Sequence, residues 1–376
     1  MARTLSRRTV LAGTAAIPLT GFGSWFGVPS GSATYAQTSQ LDRINELAAG
    51  GEVRLPRGQI MLLNPVRFGG QRLNLRGEGP HASSIRFDPA APAAAIELNT
   101  PGVGGQYQSS VVGLGFTSSN RVDKTAVRLV NVGNVNIERL GIAGGGWLGE
   151  GSIGIHTAGR QFVRIRDCDI SCARPIVLSP NPVHPTLAAD FFEINSCELS
   201  STLNEGCCIE VEDGVVFSNF AIRNTAMVGG TDGFRFIDRS SRGASTNLEF
   251  QNCRTEQGKS RNGWSFDIRS ANQSVQSILL QNVRCDIRRN GIRIRDAHRI
   301  TLINVDIDQA GGRTALDIEF NPATVLTILG GFNQVGGNAR LTNARKTIGV
   351  ESNIGGAFGP VEVWVYDPDA RSQASA

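Results

Sequence analysis

Acidic and basic residues alternate along a series of positions that recurs through the second half of the chain. At its centre the series runs Glu210, Arg235, Asp267, Arg293 and Asp317. Two carboxyl groups can act as acid and base in the hydrolysis of a glycosidic bond, and a base beside a cation that neutralises a uronate can carry out elimination. The same alternation is typical of a surface ion-pair ladder, so both interpretations stay open.

A repeated phrase sets the spacing of these charges. IRDCDI (165–170) returns as INSCEL (194–199), FQNCRT (250–255) and LQNVRC (280–285). Alignment on one polar position gives the series Arg139, Asp167, Ser196, Asn224, Asn252, Asn282, Asn304 and a degenerate Gly330. Regular steps of this length, 22 to 30 residues, are typical of a solenoid.

Apolar residues alternate on both sides of each aligned position. This pattern predicts two short strands joined by a sharp bend, where asparagine tolerates the left-handed conformation and can bond the asparagine of the next coil. A third strand precedes each pair, as in CIEVED from 208 and WSFDIR from 264. The sequence therefore predicts an all-β fold, a right-handed parallel β-helix with three strands and about 22–33 residues per coil.

This organisation resembles the pectate-lyase-like superfamily of parallel β-helices, including its asparagine ladder. GGEVRLPRGQIMLL (50–63) and LNLRGEGPHASSIRFDP (73–89) resemble the opening coils of those proteins. The resemblance covers the architecture of residues 50–350, and it carries over no catalytic residue because the signatures of pectate lyases and polygalacturonases are absent. It implies a substrate groove on the outer face of the first strand of each coil.

Alternation along that first strand predicts two outward columns of side chains. The first column is Glu97, Arg128, Gly154, Val177, Glu210, Arg235, Asp267, Arg293 and Asp317. The second column is Asn99, Val130, His156, Ser179, Glu212, Ile237, Arg269, Arg295 and Glu319. The segments 179–190, 238–247 and 256–263 are predicted to wall the groove.

The candidate catalytic residues lie in the charged part of the columns. They are Glu210, Glu212, Arg235, Asp267, Arg293 and Asp317. For hydrolysis, Asp267 with either Glu210 or Asp317 would stand two coils and about 9.6 Å apart, near the upper limit for inverting enzymes. For elimination, a uronate would pair with the arginines of the columns, which are Arg235, Arg269, Arg293 and Arg295. The resemblance to pectate lyases also leaves open an arginine as the base, which would need a strongly perturbed environment. Replacing Asp267 with Asn is predicted to abolish activity and leave the fold intact.

The predicted substrate-binding residues are Trp147, His156, Arg269, Arg295 and Glu319. Trp147, in GGGWLGEG, is predicted either to stack on a sugar ring or to pack locally. His156 faces the groove and has a side chain suited to acid or base catalysis. No cluster has the spacing of a metal centre. No cofactor is predicted, with one alternative, a calcium ion bound by Glu212, Asp213 and Asp238.

The first 36 residues resemble a twin-arginine export signal. Arg7 and Arg8 precede a mildly apolar stretch that is too polar to span a bilayer. The predicted organisation is a signal peptide at 1–36, a β-helix domain at 37–366 and a disordered tail at 367–376. LDRINELAA (41–49) is predicted to form a helical cap, and PVEVWVY (360–366) to close the other end. We expect the export machinery to deliver the protein to the periplasm or the medium.

The mature chain is nearly neutral. The sequence has 37 basic and 33 acidic residues, and the first 36 residues hold three of the basic ones. This balance argues against nucleic acid or an anionic membrane as a partner, and no membrane span is predicted in the mature protein.

The cysteines are predicted mainly as core residues. Those at inward positions are Cys168, Cys197, Cys253 and Cys285. Cys168 and Cys197 lie in adjacent coils about 4.8 Å apart, so a disulfide between them is geometrically conceivable. Of the neighbours Cys207 and Cys208, one is predicted to be exposed or in a turn.

The sequence thus predicts an exported carbohydrate-active enzyme, a lyase or glycoside hydrolase, that cleaves or modifies a polysaccharide in a groove centred on residues 208–320. The alternative is a non-catalytic glycan-binding or envelope structural protein on the same scaffold. The ion pairs discriminate between them, because an enzyme needs a carboxylate or base free of ion pairs beneath a walled groove.

Overall fold

A computed structural model describes residues 51–69, 72–99, 108–159, 162–183, 185, 188–240, 245–270, 275–285, 288–308, 313–335, 338–350, 361–370 and 373–375. The predicted signal peptide (1–36) and helical cap (41–49) lie outside the described residues. Within those ranges, no helix combines the length and the apolar character that a membrane crossing requires.

Most of the described residues lie in short strands. The first nine are β1 (Gly51–Arg54), β2 (Gly58–Leu62), β3 (Val66–Gly69), β4 (Leu73–Arg76), β5 (Ser83–Phe87), β6 (Ala93–Asn99), β7 (Ser109–Thr117), β8 (Lys124–Val130) and β9 (Val135–Ile142). A 3₁₀ helix, Gly145–Leu148, follows β9.

The central coils contain β10 (Ile153–Ala158), β11 (Val163–Arg166), β12 (Asp169–Cys172), β13 (Arg174–Ser179), β14 (Ala189–Asn195), β15 (Glu198–Ser201), β16 (Cys207–Val211), β17 (Phe217–Arg223), β18 (Ala226–Gly229), β19 (Asp232–Ile237), β20 (Ser245–Gln251) and β21 (Arg254–Glu256). The last coils contain β22 (Trp264–Arg269), β23 (Val275–Gln281), β24 (Arg284–Cys285), β25 (Asn290–Arg295), β26 (Ala297–Asp308), β27 (Thr314–Glu319), β28 (Val325–Val335), β29 (Asn338–Thr342), β30 (Ala344–Val350), β31 (Val361–Tyr366) and β32 (Gln373–Ser375).

Parallel pairing between successive coils builds a β-helix, which confirms the predicted fold. The first strand of each coil lies in a sheet of 12 described strands, here called the front sheet: β3, β6, β8, β10, β13, β16, β19, β22, β25, β27, β29 and β32. The second and third strands lie in a sheet of 20 described strands, here called the back sheet. This architecture agrees with the fold that the resemblance implies.

The predicted bend occurs at the aligned polar residues. Seven of them have φ between 49° and 55°: Arg139, Asp167, Ser196, Asn224, Asn252, Asn282 and Asn304. The amide of Asn252 donates to Asn224 Oδ1 at 3.1 Å, and that of Asn282 donates to Asn252 Oδ1 at 3.0 Å. At the head of this ladder Asn224 donates to Asn195 Oδ1, because the aligned residue there is Ser196.

Arg139 occupies the left-handed conformation without the side-chain chemistry that favours it. Replacing Arg139 with Asn is expected to raise the free energy of unfolding by about 0.5–1 kcal/mol, because asparagine is tolerated in this conformation better than other side chains. Chemical denaturation measures the change. Arg254→Asn is the matched control, since Arg254 also pairs with a nearby glutamate but lies within a strand; an equal gain there would contradict the explanation.

Stacked apolar side chains fill the interior of the coils. Phe234, Phe250 and Phe266 are fully buried, and their rings meet edge to face with centroids 4.9 and 4.8 Å apart. Burial of each such ring contributes about 2–3 kcal/mol. Phe234 and Phe266 come from the front sheet and Phe250 from the back sheet, so the stack packs the two sheets against each other.

All seven cysteines are free and buried, which confirms the predicted core role of the inward ones. Cys168 and Cys197 are thiols with no disulfide between them. The prediction for Cys207 and Cys208 is wrong, since neither has any exposed surface. Cys208 takes a small inward position at the start of β16, whereas Cys207 is covered by charged residues of the front sheet, among them Arg235 and Asp232.

The thiols are expected to react slowly in the folded protein, because all seven are buried. Burial raises the pKa of Cys172 to about 12 and that of Cys208 to about 11, so the reactive thiolate is scarce near pH 8. A thiol-specific chromogenic reagent should detect no fast-reacting cysteine in the native protein and all seven after unfolding. Rapid stoichiometric reaction of one native thiol would contradict this burial.

Antiparallel strands close the C-terminal end. As predicted, residues 361–366 form a closing strand: β31 pairs antiparallel with β28 and β30. Within the predicted tail, Gln373–Ser375 pair antiparallel with β29. The last front-sheet coil leaves unpaired backbone groups at its edge, and this short strand satisfies them.

Candidate functional site

The outward side chains of the front sheet form columns, and the strand register confirms most of the prediction. From Val177 the first column continues through Glu210, Arg235, Asp267, Arg293 and Asp317. The prediction is wrong in one coil, where His156 pairs with Arg128 and Val177 and so belongs to the first column. Gly154 lies at an inward position, because a Cβ there would approach Ile170 Cγ2 to 2.6 Å.

Ion pairs link the charged members of both columns along the stack. The pairs are Arg174–Glu210, Arg174–Glu212, Arg235–Glu210, Arg269–Asp267, Arg293–Asp267, Arg295–Asp317 and Arg295–Glu319, with N–O distances of 2.6–3.2 Å. The ion-pair ladder is therefore present, and it includes every predicted catalytic carboxylate. Hydrolysis would require one of these carboxylates to leave its arginine.

Asp267 is the most enclosed of these carboxylates. It is 1% exposed, and Arg293 donates to both of its oxygens at 2.7 and 2.6 Å while Arg269 donates to Oδ2 at 3.0 Å. The guanidinium of Arg293 also lies 4.6 Å from the ring centroid of Trp264. Asp267 thus has no open face toward a substrate, and its contacts hold two arginines in place.

Trp147 is not available to stack on a sugar. Its side chain is fully buried in the 3₁₀ helix after β9, and Lys124 Nζ lies 5.7 Å from its ring centroid. The local packing alternative is therefore correct.

A histidine, a serine and a glutamate form a hydrogen-bonded group on the front sheet, in coils that precede the Asp267 coil. His156 Nε2 lies 2.7 Å from Ser179 Oγ, and Ser179 Oγ donates to Glu212 Oε2 at 2.6 Å. Arg128 stands beside His156 in the adjacent strand, and its side chain is 44% exposed. Its ion-pair partner is Glu97, at a loose 3.7 Å.

The hydrogen bonds fix the tautomer of His156. An ionised Glu212 can only accept, so the single hydroxyl proton of Ser179 points to it and His156 Nε2 must carry a proton toward Ser179 Oγ. The basic lone pair then lies on Nδ1. Burial lowers the pKa of His156 to about 4, helped by the nearby cations Arg128 and Arg174 and opposed by Glu212. The imidazole is therefore neutral at neutral pH and can accept a proton.

Arg174 organises this group, although it is not among the residues predicted from the sequence. It donates to Glu210 Oε2 at 2.9 Å and to Glu212 Oε1 at 3.0 Å, which connects the histidine group to the ladder. The first residue of the front-sheet strands could have revealed it. This position holds Arg174 in β13, Asp232 in β19 and Trp264 in β22. The alternation of inward and outward side chains does not reveal this position. The residue that follows it packs inward at the turn, where alternation counted from the strand centre would place an outward residue.

The predicted wall after β13 begins with a fixed turn. Asn181 is buried, donates to Asn131 Oδ1 at 3.1 Å and accepts from the backbone of Val183 at 2.9 Å. The side chain of Val183 stands 54% exposed beyond it. The described part of this segment is thus anchored next to Ser179.

Metal ligands do not cluster in the part of the chain that the structure describes: no group of three or more His, Cys, Asp or Glu side chains could hold an ion there. Of the residues in the calcium hypothesis, Glu212 is bonded to Arg174 and Ser179. Asp213 accepts from the backbone of Arg239 and Ser240. The geometry gives the calcium hypothesis no support.

No protein-family model and no curated protein sequence matches the chain. Among solved structures, it is similar to ORF18 of Geobacillus virus E2, with 11% identity, a TM-score of 0.47, and coverage of 93% of this chain and 74% of that one. It is also similar to the A-module of the Azotobacter vinelandii mannuronan C-5 epimerase AlgE4, with 10% identity, a TM-score of 0.26, and coverage of 79% and 94%.

A third similar structure is the Streptococcus pneumoniae surface protein and adhesin PfbA, with 10% identity, a TM-score of 0.27, and coverage of 71% of this chain and 91% of that one. The assignment of the fold rests on the strand pairing of this chain alone.

Proposed function

We propose that the protein is an exported carbohydrate-active enzyme that acts on a uronate-containing polysaccharide by proton abstraction on the front sheet. One observation carries this proposal: a neutral imidazole, free of ion pairs, lies beside the half-exposed guanidinium of Arg128 in the adjacent strand. A base next to a cation is the pair of groups that elimination or epimerisation of a uronate requires.

The residues would share the chemistry as follows. Arg128 pairs with the uronate carboxylate and stabilises the negative charge that develops next to it. His156 Nδ1 takes the proton from the carbon beside the carboxylate, while Ser179 and Glu212 hold the ring. Loss of the glycosidic oxygen, which takes a proton from solvent, completes an elimination. Addition of a proton from solvent to the opposite face gives an epimer instead, and His156 then releases its proton to solvent.

Hydrolysis has less support from the geometry. The predicted acid and base pairs, Asp267 with Glu210 or with Asp317, consist of carboxylates that are all bound to arginines. A general acid needs an elevated pKa, and ion pairing with arginine favours the ionised form. The ladder is therefore better suited to holding the front sheet in shape.

A polysaccharide panel tests the proposal. Purified protein is incubated with uronate-containing and neutral polysaccharides, and both new reducing ends and the near-ultraviolet absorbance of unsaturated uronates are followed. Elimination predicts both signals on a uronate polymer and neither on a neutral one. Reducing ends without the absorbance would replace the proposal with hydrolysis.

The second candidate function is a non-catalytic glycan-binding or envelope structural protein. The observation in its favour is the ladder, in which every predicted catalytic carboxylate is paired. Binding of a polymer with neither cleavage on the panel nor exchange of the proton beside the carboxylate in heavy water would favour this candidate.

Export through the twin-arginine machinery to the periplasm or the medium is part of the proposal. Its support is the paired Arg7 and Arg8 together with seven buried free thiols, which suit a protein that folds before transport. Replacing both arginines with lysine should retain the protein in the cytoplasm, as measured by cell fractionation. Unchanged export would contradict this part.

A further inference from the structure

Two phenylalanines lie side by side on the outer face of the back sheet. The ring centroids of Phe162 and Phe191 are 6.1 Å apart with an interplanar angle of 26°, so the rings are nearly parallel. Phe162 is 36% exposed and Phe191 is partly exposed. In contrast, the core rings of Phe234, Phe250 and Phe266 are buried and meet edge to face. The outer pair therefore exposes apolar ring surface to solvent, mainly on Phe162, because the guanidinium of Arg164 lies over the ring of Phe191.

Phe162 holds this position against the preference of its backbone. Its φ is 60°, a conformation that is unusual for a bulky side chain. In the preceding coil the equivalent residue is Asn134, with φ 54°, and asparagine is tolerated there. Strain of this kind persists where the surrounding structure enforces it and often marks a functional position.

Polar groups continue the same column along the back sheet. Phe191 pairs with Asn219, Asn219 with Asn247, and Asn247 with Ser277 in the following coils. Asn247 Nδ2 donates to Asn219 Oδ1 at 2.9 Å, and both asparagines are exposed. Because each amide has a second N–H and further lone pairs, this row can both donate to and accept from a ligand.

Two arginines beside the rings share one glutamate. Arg164 lies with its guanidinium carbon 5.5 Å from the ring centroid of Phe191, and it pairs with Glu193 at 3.8 Å. Arg166 pairs with the same glutamate at 2.8 Å. Arg164 and Arg166 also line a shallow depression with Asn136, Ile137 and Glu138. The two rings thus have guanidinium donors on one side and the amides of Asn219 and Asn247 along the column.

We propose that this column, from Phe162 through Phe191, Asn219 and Asn247, is a second binding surface that takes a linear glycan lying along the helix axis. Flat aromatic rings pack against the apolar face of a sugar ring, and the amides bind its hydroxyl groups. A column that repeats once per coil, about 4.8 Å, suits a polymer better than a compact ligand. Because both arginines already pair with Glu193, we expect a neutral glycan rather than a uronate. This surface is separate from the front sheet and does not depend on catalysis there.

The affinity of the Phe162→Asn variant for neutral linear glycans, compared with that of the unchanged protein, tests this surface. Asparagine restores the residue of the preceding coil, so the fold should be kept and the thermal midpoint should stay the same or rise. Isothermal titration with linear gluco- and manno-oligosaccharides of six units is expected to show binding by the unchanged protein. Loss of one stacking ring should weaken that binding about tenfold in Phe162→Asn, and Phe191→Ala should show a similar loss.

Val325→Ala is the matched control, because Val325 is an exposed apolar residue at the far end of the same column. It should leave the affinity unchanged. The proposal is overturned if the unchanged protein binds none of these glycans, or if both phenylalanine variants bind as tightly as it does. His156→Gln should bind normally in this assay, which separates failure of this surface from failure of the front-sheet site.

Discussion

Replacing His156 with Gln is expected to lower the rate of uronate elimination or epimerisation at least about 100-fold, the usual scale of a general base. Glutamine keeps an amide N–H that can donate to Ser179, so the group around Glu212 should stay in place. The variant should therefore fold and bind the polymer normally. The measurement is kcat on the best substrate of the panel, together with the denaturation midpoint.

His81→Gln is the matched control, because it makes the same change at an exposed histidine in the turn after β4. It should retain full activity. If His156→Gln also kept full activity, the base would have to be another residue and the assignment of His156 would be withdrawn.

The pH profile gives a second check on the same residue. A base must be unprotonated to act, and the pKa of His156 is lowered to about 4. The acid limb of kcat/KM should therefore fall near pH 4, since kcat/KM reports the free enzyme. A limb near pH 6.5, the value of an unperturbed histidine, would contradict the buried environment described for His156.

Replacing Asp267 with Asn is expected to reduce the free energy of unfolding by about 3 kcal/mol. The change removes the charge that Arg293 and Arg269 share, while both guanidinium groups stay partly buried. This expectation differs from the sequence-based prediction of an intact fold with no activity. The reason is that the carboxylate is enclosed by arginines and has no open face toward a substrate.

Glu256→Gln is the control for Asp267→Asn. The Arg254–Glu256 pair has a similar N–O distance, 2.9 Å, but its side chains are 59% and 42% exposed. Loss of this pair should cost less than about 0.5 kcal/mol. Urea denaturation compares the two variants. Equal small losses would mean that the ladder does not stabilise the front sheet, and full stability with lost turnover would restore Asp267 as a catalytic candidate.

The repeat made the architecture predictable. Steps of nearly constant length bring aligned residues to the same corner of the coil, and the left-handed bend at Asn224, Asn252 and Asn282 follows from a residue type that tolerates it. The inward cysteines follow from the same alternation. Cys207 could not be assigned in this way, because side chains of neighbouring coils cover it.

The chemistry of the site was less predictable. The sequence placed Glu210, Asp267 and Arg293 on one face correctly, but it could not show which charges are paired, since that depends on side-chain rotamers across coils. His156 was assigned to the wrong column because Gly154 gives no apolar signal at its inward position. The bond from Ser179 to Glu212 joins residues 33 apart in sequence and appears only when two coils are stacked.

Hydrogen exchange at the substrate tests the central claim most directly. The protein is incubated with a uronate polysaccharide in heavy water, and nuclear magnetic resonance follows the proton on the carbon beside the carboxylate. Proton abstraction by His156 predicts that this signal disappears from the product, and that the loss is absent with His156→Gln. A substrate that is chemically changed yet keeps that proton would contradict abstraction, and a substrate left unchanged by the native protein would favour a binding or structural role.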